Sequence, residues 1–295
     1  MTQQIQPLAE VFGFLVSDLS KKADRYRANR LCPFNNKVPS CTKDKAKSPL
    51  GVCSIYHKEK PTITCPVRFR EEWIIADDAA SFFFNESTSW SSLTEVRLND
   101  INGKSAGNID MVLVAYDDDG KVKDFGALEV QAVYISGNVR EPFERYMRNP
   151  KDQASADSAG DSYYPRPDFL SSSRKRLAPQ LLFKGGILHS WNKKIAVAID
   201  KSFFSMLPNI TQVSKSEAEI AWFIYDLVLT REKGEEQERY HLKKVDEVYT
   251  RFEPALISIT SPNPGNIEDF IKLLQDKLEE QIETPPVNKT IERPF

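Results

Sequence analysis

The sequence predicts an α/β fold in which helices flank a mixed β-sheet. Two runs of strand-like composition lie on either side of the Asp119-Gly120 dipeptide, and a third apolar run, KKIAVAI, occupies residues 193–199. Segments with apolar residues at helical spacing come before and after these runs. Since 40% of the 295 residues are hydrophobic, the chain can bury a sizeable core. These observations together indicate the α/β class.

The other elements are predicted from spacing along the chain. The first helix is indicated by the spacing of Leu8, Phe12 and Leu15, and a later one by the capping-box spacing of Ser216 and Glu219. Helices are predicted over residues 8–31, 67–84, 216–234 and 266–283, strands over 177–183 and 193–199, and a polar surface loop over 149–168.

Charge and composition divide the chain into four predicted parts. Residues 1–70 contain 13 Lys and Arg against 5 Asp and Glu, whereas residues 217–293 contain 17 acidic and 10 basic residues. A basic half admits nucleic acid as a partner but does not require it. The predicted parts are an N-terminal helical segment (1–31), a cysteine-containing insert (32–66), a core (67–205) and a C-terminal helical part (206–295).

Several classes of protein are disfavoured by composition. The apolar run IAWFIYDLVL, residues 220–229, is shorter than the roughly 20 residues that span a bilayer, and the first residues do not resemble a signal peptide. Three histidines leave little scope for histidine-based catalysis, and no Gly-rich phosphate loop is found. We therefore expect a cytoplasmic protein without a membrane partner.

The strongest local signal is a β-hairpin over GNIDMVLVAYDDDGKVKDFGALEVQAVYI. With Asp119-Gly120 as a two-residue turn, Asp110 lies opposite Glu129, and Gln131 follows on the same face. Opposed carboxylates repel each other unless a cation lies between them. Their oxygens suit Mg²⁺, which can hold a phosphate as well. The alternative is that Asp110 caps the strand end and Glu129 lies on a solvated face.

Two sets of residues resemble a known family. Asp110 followed by Glu129-Val130-Gln131 resembles the Asp…(Asp/Glu)-x-Lys active site of restriction-endonuclease-like, or PD-(D/E)XK, folds, with glutamine in place of lysine. Upstream, the blocks CPFNN (32–36), PLGVCSI (49–55) and ITCPVRFREEW (63–73) resemble the NotI-type restriction endonucleases. The resemblance covers roughly residues 25–200. In length the chain is similar to a shorter member of the EagI type.

This resemblance implies roles for four residues of the active site. Asp110 and Glu129 would be the carboxylates that bind Mg²⁺, and Gln131 would position the attacking water. Glu95, in LTEVRL, matches the additional upstream acid of the family. The alternative for Glu95 is a surface acid paired with Arg97 or another base.

All four cysteines of the chain fall within the predicted insert. In a reducing cytoplasm, clustered thiols without much core around them favour a tetrahedral metal over disulfides, although the paired CxxC knuckles of common zinc modules are absent. The resemblance implies one structural iron bound by the four cysteines; zinc is the alternative, and His57 could replace one cysteine. The proposed ligands are Cys32, Cys41, Cys53 and Cys65.

Basic residues near these motifs are candidates for DNA contact. Arg174, Lys175 and Arg176 follow the predicted surface loop, and arginine pairs with guanine more often than with other bases, so this segment is the candidate for base reading. The alternative is that it contacts only the DNA backbone. Phosphate contacts are expected from basic residues around the cysteines, namely Lys37, Lys43, Lys45, Lys47, Lys58, Lys60, Arg68 and Arg70.

The resemblance implies a Type II restriction endonuclease with a PD-(D/E)XK core and an inserted loop-rich cysteine domain. Such an enzyme would act as a homodimer, because a palindrome presents one site to each subunit. It would cut double-stranded DNA with Mg²⁺ at a GC-rich palindrome centred on GGCC, with CGGCCG as one candidate, leaving 5′-phosphates and 5′ overhangs. The alternatives are a DNA-binding protein with a structural metal site and a repair or recombination nuclease on the same fold.

Overall fold

The computed structural model describes residues 6–35, 39–43, 48–151, 164–231, 237–262 and 264–283. The chain forms two compact units, residues 1–260 and 261–295. The first unit contains the sheets, and the described part of the second contains one helix, α9 (Ile267–Glu283). None of the helices within the described ranges combines the length and the apolar character that crossing a membrane requires.

A six-stranded mixed sheet forms the centre of the first unit. Its strand order is β12-β11-β10-β7-β6-β5, in which β7, β10 and β11 run parallel and the other neighbours are antiparallel. The predicted mixed sheet is therefore confirmed. The strands are β5 (Trp90–Asn99), β6 (Ser105–Tyr116), β7 (Val122–Gln131), β10 (Ile195–Asp200), β11 (Ile220–Thr230) and β12 (Arg239–Thr250).

Helices cover both faces of this sheet. Helix α2 (Ile74–Phe83) packs on one face, while α8 (Phe252–Thr260) and a continuous helical segment, residues 169–190, pack on the other. We call that segment the 169–190 helix. It consists of α4 (Phe169–Ser172), a π-helical turn (Ser173–Leu177), α5 (Ala178–Gln180), a second π-helical turn (Leu181–Gly185) and α6 (Gly186–Ser190).

A smaller antiparallel sheet has the order β2-β1-β3-β4. Phe143 and Tyr146 of α3 pack into its core, and a two-stranded sheet of β8 and β9 follows β7 in the chain. The elements are β1 (Leu8–Val11), β2 (Phe14–Leu15), α1 (Lys21–Ala28), β3 (Val52–His57), β4 (Lys60–Ile63), β8 (Tyr134–Ser136), α3 (Arg140–Arg148), β9 (Arg166–Asp168) and α7 (Lys201–Phe204).

The prediction of an N-terminal helix over residues 8–31 was wrong. Phe12 and Gly13 both have left-handed φ angles, 52° and 79°, and they turn the chain between β1 and β2, so only α1 is helical here. The apolar residues that match helical spacing belong to two short strands. The cysteine segment is likewise less irregular than predicted, because β3 and β4 cross it.

Two further predictions at the second half of the chain were wrong. Residues 177–183, predicted as a strand, lie in the 169–190 helix, and most of the predicted helix over residues 216–234 is strand β11. Strand β11 is buried on both faces, so its sequence lacks the alternation of a half-exposed strand. The predicted C-terminal part is consequently both strand and helix.

Other predictions held. Strand β10 and helix α9 lie where expected, and the helix predicted over residues 67–84 is present with a kink, since a 3-10 helix (Pro66–Trp73) precedes α2. Of the predicted surface loop, residues 152–163 fall outside the described ranges and Arg166–Asp168 form β9.

The β6–β7 hairpin is confirmed, and its register is the predicted one. Paired residues run from Met111 with Leu128 to Ala115 with Asp124. The turn is longer than two residues, and a shift in register at Tyr116 compensates for the difference. Without this shift, Asp110 would be paired with Leu128 instead of Glu129.

Candidate active site

Asp110 and Glu129 lie side by side where β6 and β7 pair. The carboxylate of Asp110 accepts a hydrogen bond of 2.8 Å from the backbone N–H of Val130. Glu129 is 3% exposed and points to the sheet face that the 169–190 helix covers. Glu129 is therefore not on a solvated face, whereas the binding of Mg²⁺ by the two acids stays a prediction.

Glu95 approaches the same place from β5. Thr94 pairs with Met111 and Val96 with Ile109, so Glu95 lies across from Asp110. Its φ angle is 57°, a left-handed conformation that costs a non-glycine residue about 1–3 kcal/mol. As a result Thr94 and Glu95 both line one cleft, although neighbours in a regular strand alternate between faces. Such strain is typical of functional sites.

A cleft of about 580 Å³ opens beside these acids. The residues that line it include the acids Glu95 and Asp110 and the arginines Arg70 and Arg176. Asn35, from the cysteine segment, lines it as well. Acids suited to a cation and arginines suited to a phosphate thus share one cavity.

Gln131 does not reach this cleft directly. It is fully buried, and its Nε2 donates to Oε1 of Gln180 in the 169–190 helix. Nε2 of Gln180 in turn donates to Oε2 of Glu129 at 3.0 Å. Oε1 of Gln131 has no hydrogen-bond partner among the described residues. It is therefore a buried acceptor that no described protein group satisfies.

Lys184 is the residue that the sequence analysis missed. Its ammonium lies 2.6 Å from Oε1 and 2.6 Å from Oε2 of Glu129 and donates to the latter. It also donates to the carbonyl of Asn108 at 2.7 Å. The side chain is 4% exposed. No feature of the sequence distinguishes this lysine. Its spacing of four residues from Gln180 has meaning only in a helix, and the preceding residues, 177–183, were predicted to be a strand.

Burial and charge oppose each other at Glu129. Burial in the first place, and repulsion from Asp110 in the second, raise the pKa of Glu129 to about 8, while the Lys184 ammonium acts to lower it. A divalent cation beside the two acids would add a second attractive charge and favour the carboxylate. Within the described ranges, however, no group of three or more His, Cys, Asp or Glu side chains is arranged to hold a metal ion.

The four cysteines lie around one small cavity. Its volume is about 10 Å³, room for one water-sized sphere, and all four thiols are free. Burial, with weaker repulsion by Cys65 and Cys41, raises the pKa of Cys32 to about 12. Burial and repulsion by Cys65 also raise the pKa of Cys53. All four cysteines line this cavity, but no three of the described cysteine, histidine or acidic side chains are arranged to hold a metal ion, so the metal stays a prediction.

The basic residues predicted to contact DNA separate into three groups. Arg70 and Arg176 line the cleft, and Arg176 lies 6.0 Å from the ring centre of Tyr134. Arg174 and Lys175 are exposed on the 169–190 helix. Of the lysines expected to contact phosphate, Lys37, Lys45 and Lys47 fall outside the described residues.

Arg68 was predicted to contact DNA, and its position contradicts this. It is fully buried, with Nε 3.1 Å from Glu10 and a terminal nitrogen 2.7 Å from Glu71. A further hydrogen bond of 2.8 Å joins it to the carbonyl of Tyr240. Arg68 therefore connects the small sheet to β12 and has no surface for a phosphate.

Comparison with known families agrees with this geometry. The family described as Restriction endonuclease NotI matches residues 17–242, most of the chain. The chain belongs to the NotI restriction endonuclease family. It is a Type II site-specific deoxyribonuclease, and restriction endonucleases bind DNA and generally use Mg²⁺. Comparison with curated proteins gives no significant match.

The part of the chain that matches the NotI family contains the whole candidate site. Glu95, Asp110, Glu129 and Lys184 lie within it, as do the four cysteines, whereas α9 lies beyond its end. The acid pair, the cleft and the thiol cavity are thus features of the family region.

Proposed function

We propose that this NotI-family enzyme cuts both strands of DNA at a GC-rich palindrome centred on GGCC, with CGGCCG as one candidate, and leaves 5′-phosphates on 5′ overhangs. The observation that carries the chemistry is the pairing of Asp110 with Glu129 beside a cleft lined by Glu95, Arg70 and Arg176. Acids and guanidinium groups in one cavity suit a divalent cation and a phosphodiester respectively.

The order of elements supports a PD-(D/E)XK core. Helix α2 is followed by the antiparallel strands β5, β6 and β7, then by the 169–190 helix and by β10, which pairs parallel to β7. Asp110 on β6 and Glu129-Val130-Gln131 on β7 occupy the two central motif strands. Gln131 stands where related nucleases have lysine.

Each residue of the site has a proposed task. Asp110 and Glu129 would hold Mg²⁺, which when bound would supply positive charge to the phosphate and acidify water, and Glu95 is the additional upstream acid. The N–H of Val130 fixes the carboxylate of Asp110. Arg70 and Arg176 hold the phosphate in the cleft, and attack by water breaks the P–O3′ bond to leave a 3′-hydroxyl.

Gln131 keeps its proposed role as the residue that positions water. Its buried Oε1 has no partner in the described protein, and its Nε2 is fixed by Gln180. An amide held in this way can accept a hydrogen bond from a water without turning. It cannot supply the positive charge that a lysine would.

Recognition and assembly complete the proposal. The exposed Arg174 and Lys175 read bases, or else contact only the DNA backbone, and two copies of the chain act on the two strands of the palindrome. The cavity between the four thiols has room for a single ion, so we propose one structural iron there, with zinc as the alternative. Metal analysis of protein isolated without chelators distinguishes iron from zinc.

The experiment that tests the proposal is digestion of a sequenced plasmid with purified protein and Mg²⁺, followed by run-off sequencing of the cut ends. We expect discrete cuts at one GC-rich palindrome by the wild type, no cuts by Glu129→Gln, and unchanged cuts by Asp124→Asn. Binding without cleavage would favour a DNA-binding protein. Cuts only at ends or branches would favour a repair nuclease. Either result would overturn the proposal.

A further inference from the structure

The 169–190 helix reaches the acid pair with two side chains four residues apart. Lys184 contacts both oxygens of Glu129, at 2.6 Å each, and Gln180 donates to Oε2 of the same carboxylate at 3.0 Å. Gln180 also accepts from Gln131, so one helix fixes both polar side chains of β7. The covering helix therefore forms the second half of the site.

The fold itself does not require a cation at position 184. Leu177 and Leu181, on the same helix, are buried with 0% and 2% exposure and fill the core as apolar side chains. A lysine is almost never fully buried unless it is paired, because removing an ammonium from water is costly. Replacing a buried ion pair by apolar residues is often neutral or stabilising. A buried lysine in this core thus calls for a reason other than stability.

The backbone around Lys184 also departs from regular geometry. The helix has a π-helical turn at Leu181–Gly185, and such turns occur frequently at functional sites. Gly185 is packed so closely against Phe252 that a Cβ atom would lie 2.7 Å from its ring. The residue after Lys184 thus leaves no space for a side chain, and the turn is closely packed next to the lysine.

We propose that Lys184 is the positioning cation of this active site and replaces, from the helix, the lysine that the strand motif lacks at Gln131. It acts through Glu129, by donating a hydrogen bond to Oε2 and so holding the carboxylate in place beside Asp110. This inference rests on the proposed function, in which Glu129 binds the metal. Misplacing a reacting group by about 1 Å can slow a reaction about 100-fold.

The first test compares Lys184→Met with Lys193→Met in single-turnover cleavage at saturating DNA and Mg²⁺. Lys193 is a matched control, because it forms an ion pair of 2.6 Å with Asp124 on the same strand. We expect Lys184→Met to slow cleavage about 100-fold and Lys193→Met to stay within about twofold of the wild type. Cleavage by Lys184→Met within about twofold of the wild type would overturn the inference.

The second test measures Mn²⁺ affinity without DNA, by electron paramagnetic resonance. Lys184 repels any cation that binds to Glu129, so Lys184→Met should bind Mn²⁺ about tenfold more tightly while it cleaves more slowly. Unchanged affinity would mean that the Lys184 charge does not act on a metal at Glu129, and weaker affinity would mean that Lys184 does not oppose the metal there. Either result would overturn the inference, even if the wild type were found not to cleave DNA.

A rescue experiment separates charge from packing. Gln131→Lys in the Lys184→Met background returns a cation to β7, and we expect it to recover cleavage by about tenfold. Lys184→Arg keeps the charge at position 184 and should retain more activity than Lys184→Met. If neither variant cleaves faster than Lys184→Met, charge is not what Lys184 contributes. If the wild type cuts no DNA, the proposed function fails, whereas the Mn²⁺ measurement still decides the role of Lys184.

Discussion

The two ends of strand β7 carry ion pairs of equal length in opposite environments. At one end Asp124 pairs with Lys193 at 2.6 Å, with side chains 50% and 29% exposed. At the other end Glu129 pairs with Lys184 at 2.6 Å, with both side chains 4% exposed. By the distance between nitrogen and oxygen alone, the two ion pairs are equivalent. Burial makes only the second one a pair whose disruption leaves an uncompensated charge in the core.

The largest effect is expected on catalysis, from Asp110→Asn. The amide oxygen can still accept from the N–H of Val130, so the free energy of unfolding should change by less than about 1 kcal/mol. Loss of the metal-binding charge should lower the cleavage rate by about 1,000-fold. Single-turnover cleavage and urea unfolding measure the two quantities. A variant that cuts at the wild-type rate would exclude Asp110 from the site.

Glu129→Ala should show how much burial matters for stability. It leaves the Lys184 ammonium without its partner, and breaking a buried pair costs about 3–5 kcal/mol. Asp124→Ala removes the acid of the exposed pair and should cost about 0–1 kcal/mol. Urea unfolding in EDTA at pH 9, above the pKa of about 8 of Glu129, compares the two variants. Equal losses would mean that burial does not distinguish the two ends of β7.

The stability of the metal-free protein should fall as the pH rises. The pKa of Glu129 is raised to about 8 in the folded state, above its usual 4.5, so the folded protein binds more protons between these values. Stability due to this group is complete below about pH 4.5 and is lost as the pH passes through about 8. The slope should reach at most about 1.4 kcal/mol per pH unit for one proton.

Glu129→Gln should reduce this slope and Asp124→Asn should not. Asp200 is buried, and its pKa is raised to about 7, chiefly by that burial, so part of the slope will remain in both variants. Urea unfolding between pH 5 and 9 in EDTA gives the comparison. An unchanged slope in Glu129→Gln would show that Glu129 titrates in the folded state as it does in water.

The stability of variants at position 95 should depend on backbone strain. Glycine adopts its φ angle of 57° without strain, so Glu95→Gly should be more stable than Glu95→Ala by about 1 kcal/mol. Both variants lack the carboxylate and should cleave equally slowly. Thermal unfolding and cleavage assays of the two variants provide the test. If Glu95→Gly is the less stable of the two, the conformation of Glu95 carries no strain.

The smallest effect on stability is expected for the exposed ion pair of Asp124 and Lys193. A double-mutant cycle of Asp124→Asn and Lys193→Met should give a coupling energy of about 0.2–1 kcal/mol that decreases in 1 M salt. The same cycle at Glu129 and Lys184 should be larger and nearly independent of salt, because buried charges are poorly screened. Salt dependence of equal size in both cycles would contradict the burial of the second pair.

Local patterns in the sequence predicted the β6–β7 hairpin. Turn residues between two alternating apolar runs indicated β6 and β7, and the pairing of Asp110 with Glu129 followed from the register. Strand β10 and helix α9 were predicted for similar reasons, since each has a regular local pattern. The family blocks around the cysteines indicated the restriction endonuclease family, which the match over residues 17–242 confirms.

Elements without a local pattern were predicted poorly. Strand β11 is apolar on both faces because it lies between β10 and β12 and is covered from both sides. Its sequence therefore lacks the alternation of a half-exposed strand, and a helix was predicted instead. Phe12 lies in a turn, yet its spacing from Leu8 matched a helix. Such assignments depend on which surfaces other parts of the chain cover.

The sequence by itself determined which polar side chains lie together on β6 and β7, because strand alternation places them on one face whatever packs against it. The tertiary structure alone decided what surrounds them. Lys184 is 55 residues from Glu129 in the chain, and Arg68 is 58 residues from Glu10. Pairing over such distances depends on how helices and sheets pack. Packing therefore turned Arg68, an expected DNA contact, into a core residue and placed Lys184 in the site.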